Sequence, residues 1–316
     1  MTTGEIITLL QARGFRFTHS LGQNFLIDDE MLEEIVRASG ASGRNVLEIG
    51  AGAGCLTNVL ARSAKRVLAI EIDKNLIPVL ETVLQPYKNV TLVQGDVLKV
   101  NLEQLAQECF GGEPFDVVAN LPYYITTPVL FRLLESGLPV ERICVMLQKE
   151  AVQRVMAQQG DKEYGPLAIQ CAYRANIDRV MSVPPHSFIP QPHVDSEVIA
   201  LDLRPYPVQV EERAFMKLVK SCFAMRRKTL VNNLMSYGLS RPQAQSAVEE
   251  AGLAPAVRAE TLSLDDFLID FLQWCLRFRK ICGFKRLLCL PFQDQQLPSF
   301  PFSNTVTIFL FISYVV

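Results

Sequence analysis

Between residues 44 and 148 the chain alternates short apolar, β-branched runs with stretches whose apolar residues return every three to four positions. That alternation is the mark of βαβ units and a parallel sheet covered by helices. Five strands are predicted, over 45–49, 66–71, 90–94, 115–119 and 142–147. Two more runs, 177–183 and 197–203, bracket a Pro-rich stretch at 184–192 and predict an antiparallel extension, giving a seven-stranded sheet. Asp28 is placed to cap a helix over 30–38, where Met31, Leu32, Ile35 and Val36 fall on one face, and 56–64 is read as a further helix.

After Arg204-Pro205-Tyr206-Pro207 the pattern turns wholly helical, with helices predicted over 211–237, 241–251 and 264–277. The expected fold is therefore α/β: a Rossmann-like seven-stranded sheet domain over 1–203, a small all-helical domain over 204–280, and a tail over 281–316. The tail loses helical periodicity and ends in an apolar, β-branched run from 305 to 316.

The first seventeen residues mix Glu5, Arg13 and Arg16 among short apolar runs, unlike a signal peptide. No later run approaches the roughly 18 apolar residues that span a membrane. A cytoplasmic monomer is expected. The eight cysteines contain no C-x-x-C pair, which argues against a zinc knuckle or redox motif, so no metal is expected. Residues 1–203 hold 17 basic against 24 acidic side chains, whereas 204–280 hold 12 against 8. The helical segment is thus the part suited to a polyanion, and Arg226-Arg227-Lys228 on its first helix are candidate phosphate contacts; a solvated basic face is the alternative.

Candidate chemistry sits where predicted strands end. The first runs into Gly50-Ala51-Gly52-Ala53-Gly54, whose glycines let backbone approach a ligand at a helix N-terminus. The second ends at Glu71, a carboxylate able to accept both hydroxyls of a ribose. Together they predict a nucleoside cofactor, NAD or S-adenosylmethionine. Asp96, closing the third strand and placed to accept from an adenine amine, moves the balance to S-adenosylmethionine. His19, His186 and His193 lack an evident carboxylate partner for dehydrogenase proton relay, which moves it the same way.

The fourth strand ends in Asn120-Leu121-Pro122-Tyr123. An adenine exocyclic amine is a poor nucleophile because its lone pair is delocalised into the ring. Acceptors at the Asn120 side-chain oxygen and the Leu121 carbonyl would take its hydrogens and favour a pyramidal nitrogen. Tyr123 offers one face for an unstacked base and Phe188 the opposite face; for each, a place in the core is the competing reading. No covalent nucleophile is implied, since a sulfonium already activates its methyl group.

These residues, with Leu21-Gly22-Gln23-Asn24-Phe25-Leu26, Met146-Leu147-Gln148-Lys149-Glu150, Phe188-Ile189-Pro190-Gln191-Pro192-His193-Val194-Asp195-Ser196 and Phe223-Ala224-Met225-Arg226-Arg227-Lys228-Thr229-Leu230, resemble the ribosomal RNA adenine dimethyltransferase family over about residues 15–278. The resemblance implies S-adenosylmethionine contacts from Asn24, Leu26, Gly50, Glu71, Asp96 and Asn120, and Gly52, Ile72 and Val97 beside them are further candidate contacts. It implies positioning of the base by Asn120, Leu121, Tyr123 and Phe188, beside the RNA contacts expected from the charge of Arg226, Arg227 and Lys228. The implied activity is rRNA processing during ribosome biogenesis: two adjacent adenosines in a hairpin loop near the 3′ end of 16S rRNA become N6,N6-dimethyladenosine on the assembling small subunit. The macrolide-resistance methyltransferases of large-subunit RNA and a mainly non-catalytic assembly checkpoint are the alternatives. Ala51 stands where that family usually has proline, and the tail has no counterpart in it.

Overall fold

In the computed structural model, which describes residues 1–18, 21–205 and 212–268, seven strands form one sheet. They are β1 (Asn45–Ile49), β2 (Arg66–Glu71), β3 (Val90–Gln94), β4 (Phe115–Asn120), β5 (Val140–Gln148), β6 (Ala175–Val183) and β7 (Ser196–Leu203). Their spatial order is β3-β2-β1-β4-β5-β7-β6. The first five are parallel, and β7 enters antiparallel between β5 and β6. The expected fold and antiparallel extension are therefore present, with the last four strands one to three residues longer than their apolar runs.

Alternate residues of the central strands serve two apolar layers, while the edge strands β3 and β6 are only partly buried. On one face Val46, Val67, Ala69 and Val118 pack with the helices α1 (Thr3–Ala12), α2 (Asp29–Ser39), α3 (Cys55–Ser63) and α4 (Ile77–Leu84). On the other, Leu47, Ile49, Leu68 and Val117 pack with α5 (Leu102–Phe110), α6 (Thr126–Glu135), α7 (Lys149–Val155) and α8 (Pro166–Arg174). Burial on both faces is why these strands read as continuous apolar runs. Asp28 caps α2 as expected, its Oδ1 accepting the Met31 N–H at 3.1 Å. Helix α1 is additional to the predicted elements, although Thr2 and Glu5 form the capping box that starts it.

One helix over 211–237 does not form. The structure breaks it into α9 (Glu212–Cys222) and α10 (Leu230–Ser236), with a turn over 223–228. Thr229 caps α10, and the buried Asn233 amide takes the Met225 N–H at 2.9 Å and donates to the Met225 carbonyl at 3.2 Å. These bonds satisfy the Met225 backbone groups in place of helical ones. Next come α11 (Arg241–Glu250) and helical residues 264–268. The rest of the helix predicted to 277, the boundary at 206–207, His19 and the tail 281–316 lie outside the described residues. Among the described residues no helix is long and apolar enough to cross a membrane, and no cluster of side chains could hold a metal ion.

Candidate functional site

Strand order places the site. The chain builds outward from β1 to β3, then returns to β4 on the other side of β1, so a crevice opens above the C-terminal ends of β1 and β4. Gly50 leaves β1 there with φ 76°, and Gly52 follows at φ 59°, the left-handed region open to glycine. A Cβ on Gly52 would also lie 3.0 Å from the Phe25 ring. The loop can therefore lie flat beneath a ligand only with glycine at this position.

A cavity of about 250 Å³ fills the crevice. Its wall brings together Asn24, Gly50, Gly52, Glu71, Ile72, Asp96, Val97, Asn120, Leu121 and Tyr123, residues spread over about a hundred positions of sequence. Two expected residues are not on that wall. Leu26 lies in the core just below, bordering a smaller void of about 30 Å³ with Glu48, Gly50, Asn120 and Met146. Phe188 is 3% exposed and belongs to the apolar layer beneath the loop, where its strand partner is Leu26. Its ring is a core ring here, the competing reading of the sequence.

Glu71 is buried, and its carboxylate is held by two backbone N–H groups: Gly52 donates to Oε2 at 2.7 Å and Asp73 to Oε1 at 2.8 Å. Desolvation pushes its pKa up, and those hydrogen bonds oppose the rise. Each oxygen keeps a second lone pair, which suits a vicinal diol. Asp96 is held below its ordinary value, chiefly by the Leu98 N–H donating to Oδ1 at 2.9 Å, so it stands ionised as an acceptor. Beside it, Ile72 is 43% exposed, an apolar surface that a flat heteroaromatic ring would cover. A diol acceptor, an amine acceptor, an apolar shelf and a glycine floor together fit an adenosine-containing cofactor.

Asn120 ends β4 on the opposite wall. Its Nδ2 donates to the Asn24 carbonyl at 3.0 Å, while Oδ1 meets no donor among the described residues. The amide is thereby turned with its acceptor free. Leu121 follows, its own N–H bound to Met146 of the neighbouring strand. Tyr123 is next, a half-buried phenol whose pKa is raised by desolvation. Tyr124, given no role by the sequence, is 53% exposed yet also lines the cavity, facing Gly22.

Beneath the loop, Glu48 is 1% exposed, and burial pushes its carboxyl up to about 8. Thr57 lies beside it, yet neither Glu48 Oε2 nor the Thr57 hydroxyl finds a partner with hydrogen-bond geometry. The basic triplet stands apart. Arg226, Arg227 and Lys228 are exposed in the turn between α9 and α10, not on a helix, and Arg226 donates through Nη2 to the Lys162 carbonyl.

The family model described as ribosomal RNA adenine dimethylase matches residues 14–273. Ribosomal RNA small subunit methyltransferase A of Bacillus cytotoxicus is 47% identical over 268 residues, which is 82% of this chain and 91% of that one. The protein of the same name from Bacillus mycoides is 46% identical over 267 residues, with the same coverage. Among solved structures, a dimethyladenosine transferase from Plasmodium falciparum superposes with a TM-score of 0.65 at 26% identity, over 78% of this chain and 96% of that one. The 23S rRNA methyltransferase ErmE gives 0.58 at 25% identity, over 79% and 98%.

Proposed function

Because the chain belongs to the ribosomal RNA adenine dimethylase family, we propose that it methylates the N6 amines of two adjacent adenosines in the hairpin loop near the 3′ end of 16S rRNA, using S-adenosylmethionine, on the assembling small subunit. The observation that carries this reading is the oriented amide of Asn120, with Nδ2 spent on Asn24 and Oδ1 free on the wall of the cavity that Glu71 and Asp96 also line. The higher identity to small-subunit enzymes than to ErmE supports 16S over 23S RNA as substrate.

S-adenosylmethionine, when bound, supplies a methyl group activated by its sulfonium. Glu71 would hold the ribose diol, Asp96 the adenine amine, and Ile72 and Val97 the faces of that base, on the floor made by Gly50 and Gly52. Asn24, Leu26 and Asn120 would complete the binding. Across the cavity, Asn120 Oδ1 and the Leu121 carbonyl would accept the two hydrogens of the target amine. Both acceptors are fixed before the substrate arrives, so they favour the pyramidal nitrogen of the transition state over the planar ground state. Tyr123 would stack the flipped base. Phe188, the sequence candidate for the opposite face, lies in the core and would act by holding the Leu26 segment it pairs with. Residues 1–203 would carry the chemistry and 204–280 the RNA contacts, with Arg226, Arg227 and Lys228 on phosphates.

The test is to incubate the protein with labelled S-adenosylmethionine and either small-subunit particles or large-subunit RNA, then digest and weigh the nucleosides. N6,N6-dimethyladenosine from the small-subunit substrate alone is expected. Label only in large-subunit RNA, or none in either, would overturn the reading.

A further inference from the structure

The segment that presents Asn24 to Asn120 lies outside the seven-stranded sheet; residues 25–26 pair with 188–189, and the stretch ahead of that ladder must be tied to the fold separately. Gln23 does this with both ends of its amide. Its Oε1 accepts the Thr18 N–H at 2.7 Å, and its Nε2 donates to Asp73 Oδ2 at 2.7 Å, across 50 positions of sequence. Asp73 is 5% exposed and fully engaged: its other oxygen, Oδ1, accepts from Asn75 N and Nδ2, both at 2.9 Å, and its own N–H holds Glu71 Oε1. One unbroken series of hydrogen bonds therefore joins the Glu71 carboxylate to Asp73 and Gln23. The next residue, Asn24, turns the Asn120 amide.

We propose that Gln23 is a positioning residue which clasps residues 21–25 to the loop carrying Glu71, so that one amide–carboxylate bond sets both cofactor affinity and the orientation of Asn120. The proposal rests on the reading of this cavity as a methyl-donor site. Gln23 borders the cavity, but both polar ends of its side chain are already committed within the protein. Its effect on the reaction passes through Glu71 and Asn120.

An exchange of partners tests the bond itself. In the double variant Gln23→Glu with Asp73→Asn, the new carboxylate accepts from Thr18 and from the new amide, whose oxygen still accepts from Asn75. Every hydrogen bond and the net charge survive. Each single change breaks the clasp, Gln23→Glu by placing two carboxylates together and Asp73→Asn by placing two amides together. Gln23→Ala adds no charge and covers a failure of Gln23→Glu to fold. Affinity for S-adenosylhomocysteine is measured by calorimetry, single-turnover methyl transfer on small-subunit particles by label incorporation, and thermal midpoints on every variant.

The single variants are expected to lose about 10-fold or more in affinity, the scale of one hydrogen bond to a charged group. The exchanged pair should return to within about 3-fold of wild type, an interaction between partners that independent sites would not show. Single variants that bind and turn over like wild type, lowered midpoints with unchanged affinity, or an exchanged pair no better than the singles would overturn the clasp. Wild-type protein that fails to bind S-adenosylhomocysteine would instead remove the cofactor reading on which the clasp depends.

Discussion

The hydroxyl of Tyr123 lies 3.3 Å from the Ser196 hydroxyl, so the first residue of an antiparallel strand fixes the edge of the ring proposed to carry the target base. Ser196 is buried and far from the glycine loop in the fold's strand order. Ser196→Ala should therefore raise the KM for small-subunit RNA by about 2- to 10-fold, the scale of one neutral hydrogen bond, while affinity for S-adenosylhomocysteine stays as in wild type. Steady-state kinetics with calorimetry checks this, and an equal loss in both would contradict it.

Glu71 accepts the Gly52 and Asp73 N–H groups on separate oxygens. Glu71→Gln must turn an NH2 group toward one of those donors and leaves a single acceptor oxygen, so it disturbs both the loop and the diol site. Cofactor affinity should fall about 10-fold or more, since lost hydrogen bonds to a charged acceptor act together with an unsatisfied donor. Unchanged calorimetric affinity would contradict the ribose assignment.

Glu48 makes stability depend on pH. Its carboxyl rises from an ordinary value near 4.5 to about 8 on folding, because burial penalises the charged form. The folded state thus holds its proton more tightly than the unfolded state. That contribution is complete below about 4.5 and is lost as pH rises through about 8. Glu48→Gln, which carries no proton to lose, should gain thermal midpoint relative to wild type progressively from pH 5 to pH 8. A difference that does not grow with pH would contradict the account.

Much of this was legible in the sequence, for a physical reason. Strands buried on both faces are largely apolar, so β1 and β2 occupy the predicted spans, as does the half-exposed edge strand β3, and the residues closing them, Gly50, Glu71 and Asp96, fall at one edge of the sheet. Parallel topology converts a one-dimensional pattern into a site. Less legible were features made by contacts distant in sequence. The break at 223–228 depends on Asn233 folding back onto Met225, although Thr229 in front of Leu230 was an available capping signal. Phe188 sits in a two-residue ladder too short to show periodicity. The Gln23–Asp73 bond joins a loop to a loop and leaves no pattern at all.

The basic triplet lies exposed in a turn and not on a helix, with Arg226 donating to the Lys162 carbonyl. If Arg226 and Arg227 meet phosphates, Arg226→Ala with Arg227→Ala should lower the slope of log affinity against log salt by roughly one unit for each phosphate no longer neutralised. Cofactor affinity and the methylated positions should not change, because phosphate contacts place the RNA without reading its sequence. Parallel salt-dependence lines and equal affinities would show that this turn does not face RNA.

The most direct test of the account is the rate of methyl transfer by Asn120→Ala under single-turnover conditions, with protein saturating small-subunit particles and S-adenosylmethionine saturating the protein. Asn120 is proposed to act on the amine during attack, through an oxygen left free by the Asn24 contact. The rate should fall about 10²- to 10³-fold, by analogy with removal of one fixed transition-state acceptor or donor elsewhere, while affinity for S-adenosylhomocysteine falls far less. A variant that transfers methyl groups at near wild-type rate, or whose loss is wholly explained by weaker cofactor binding, would contradict the account.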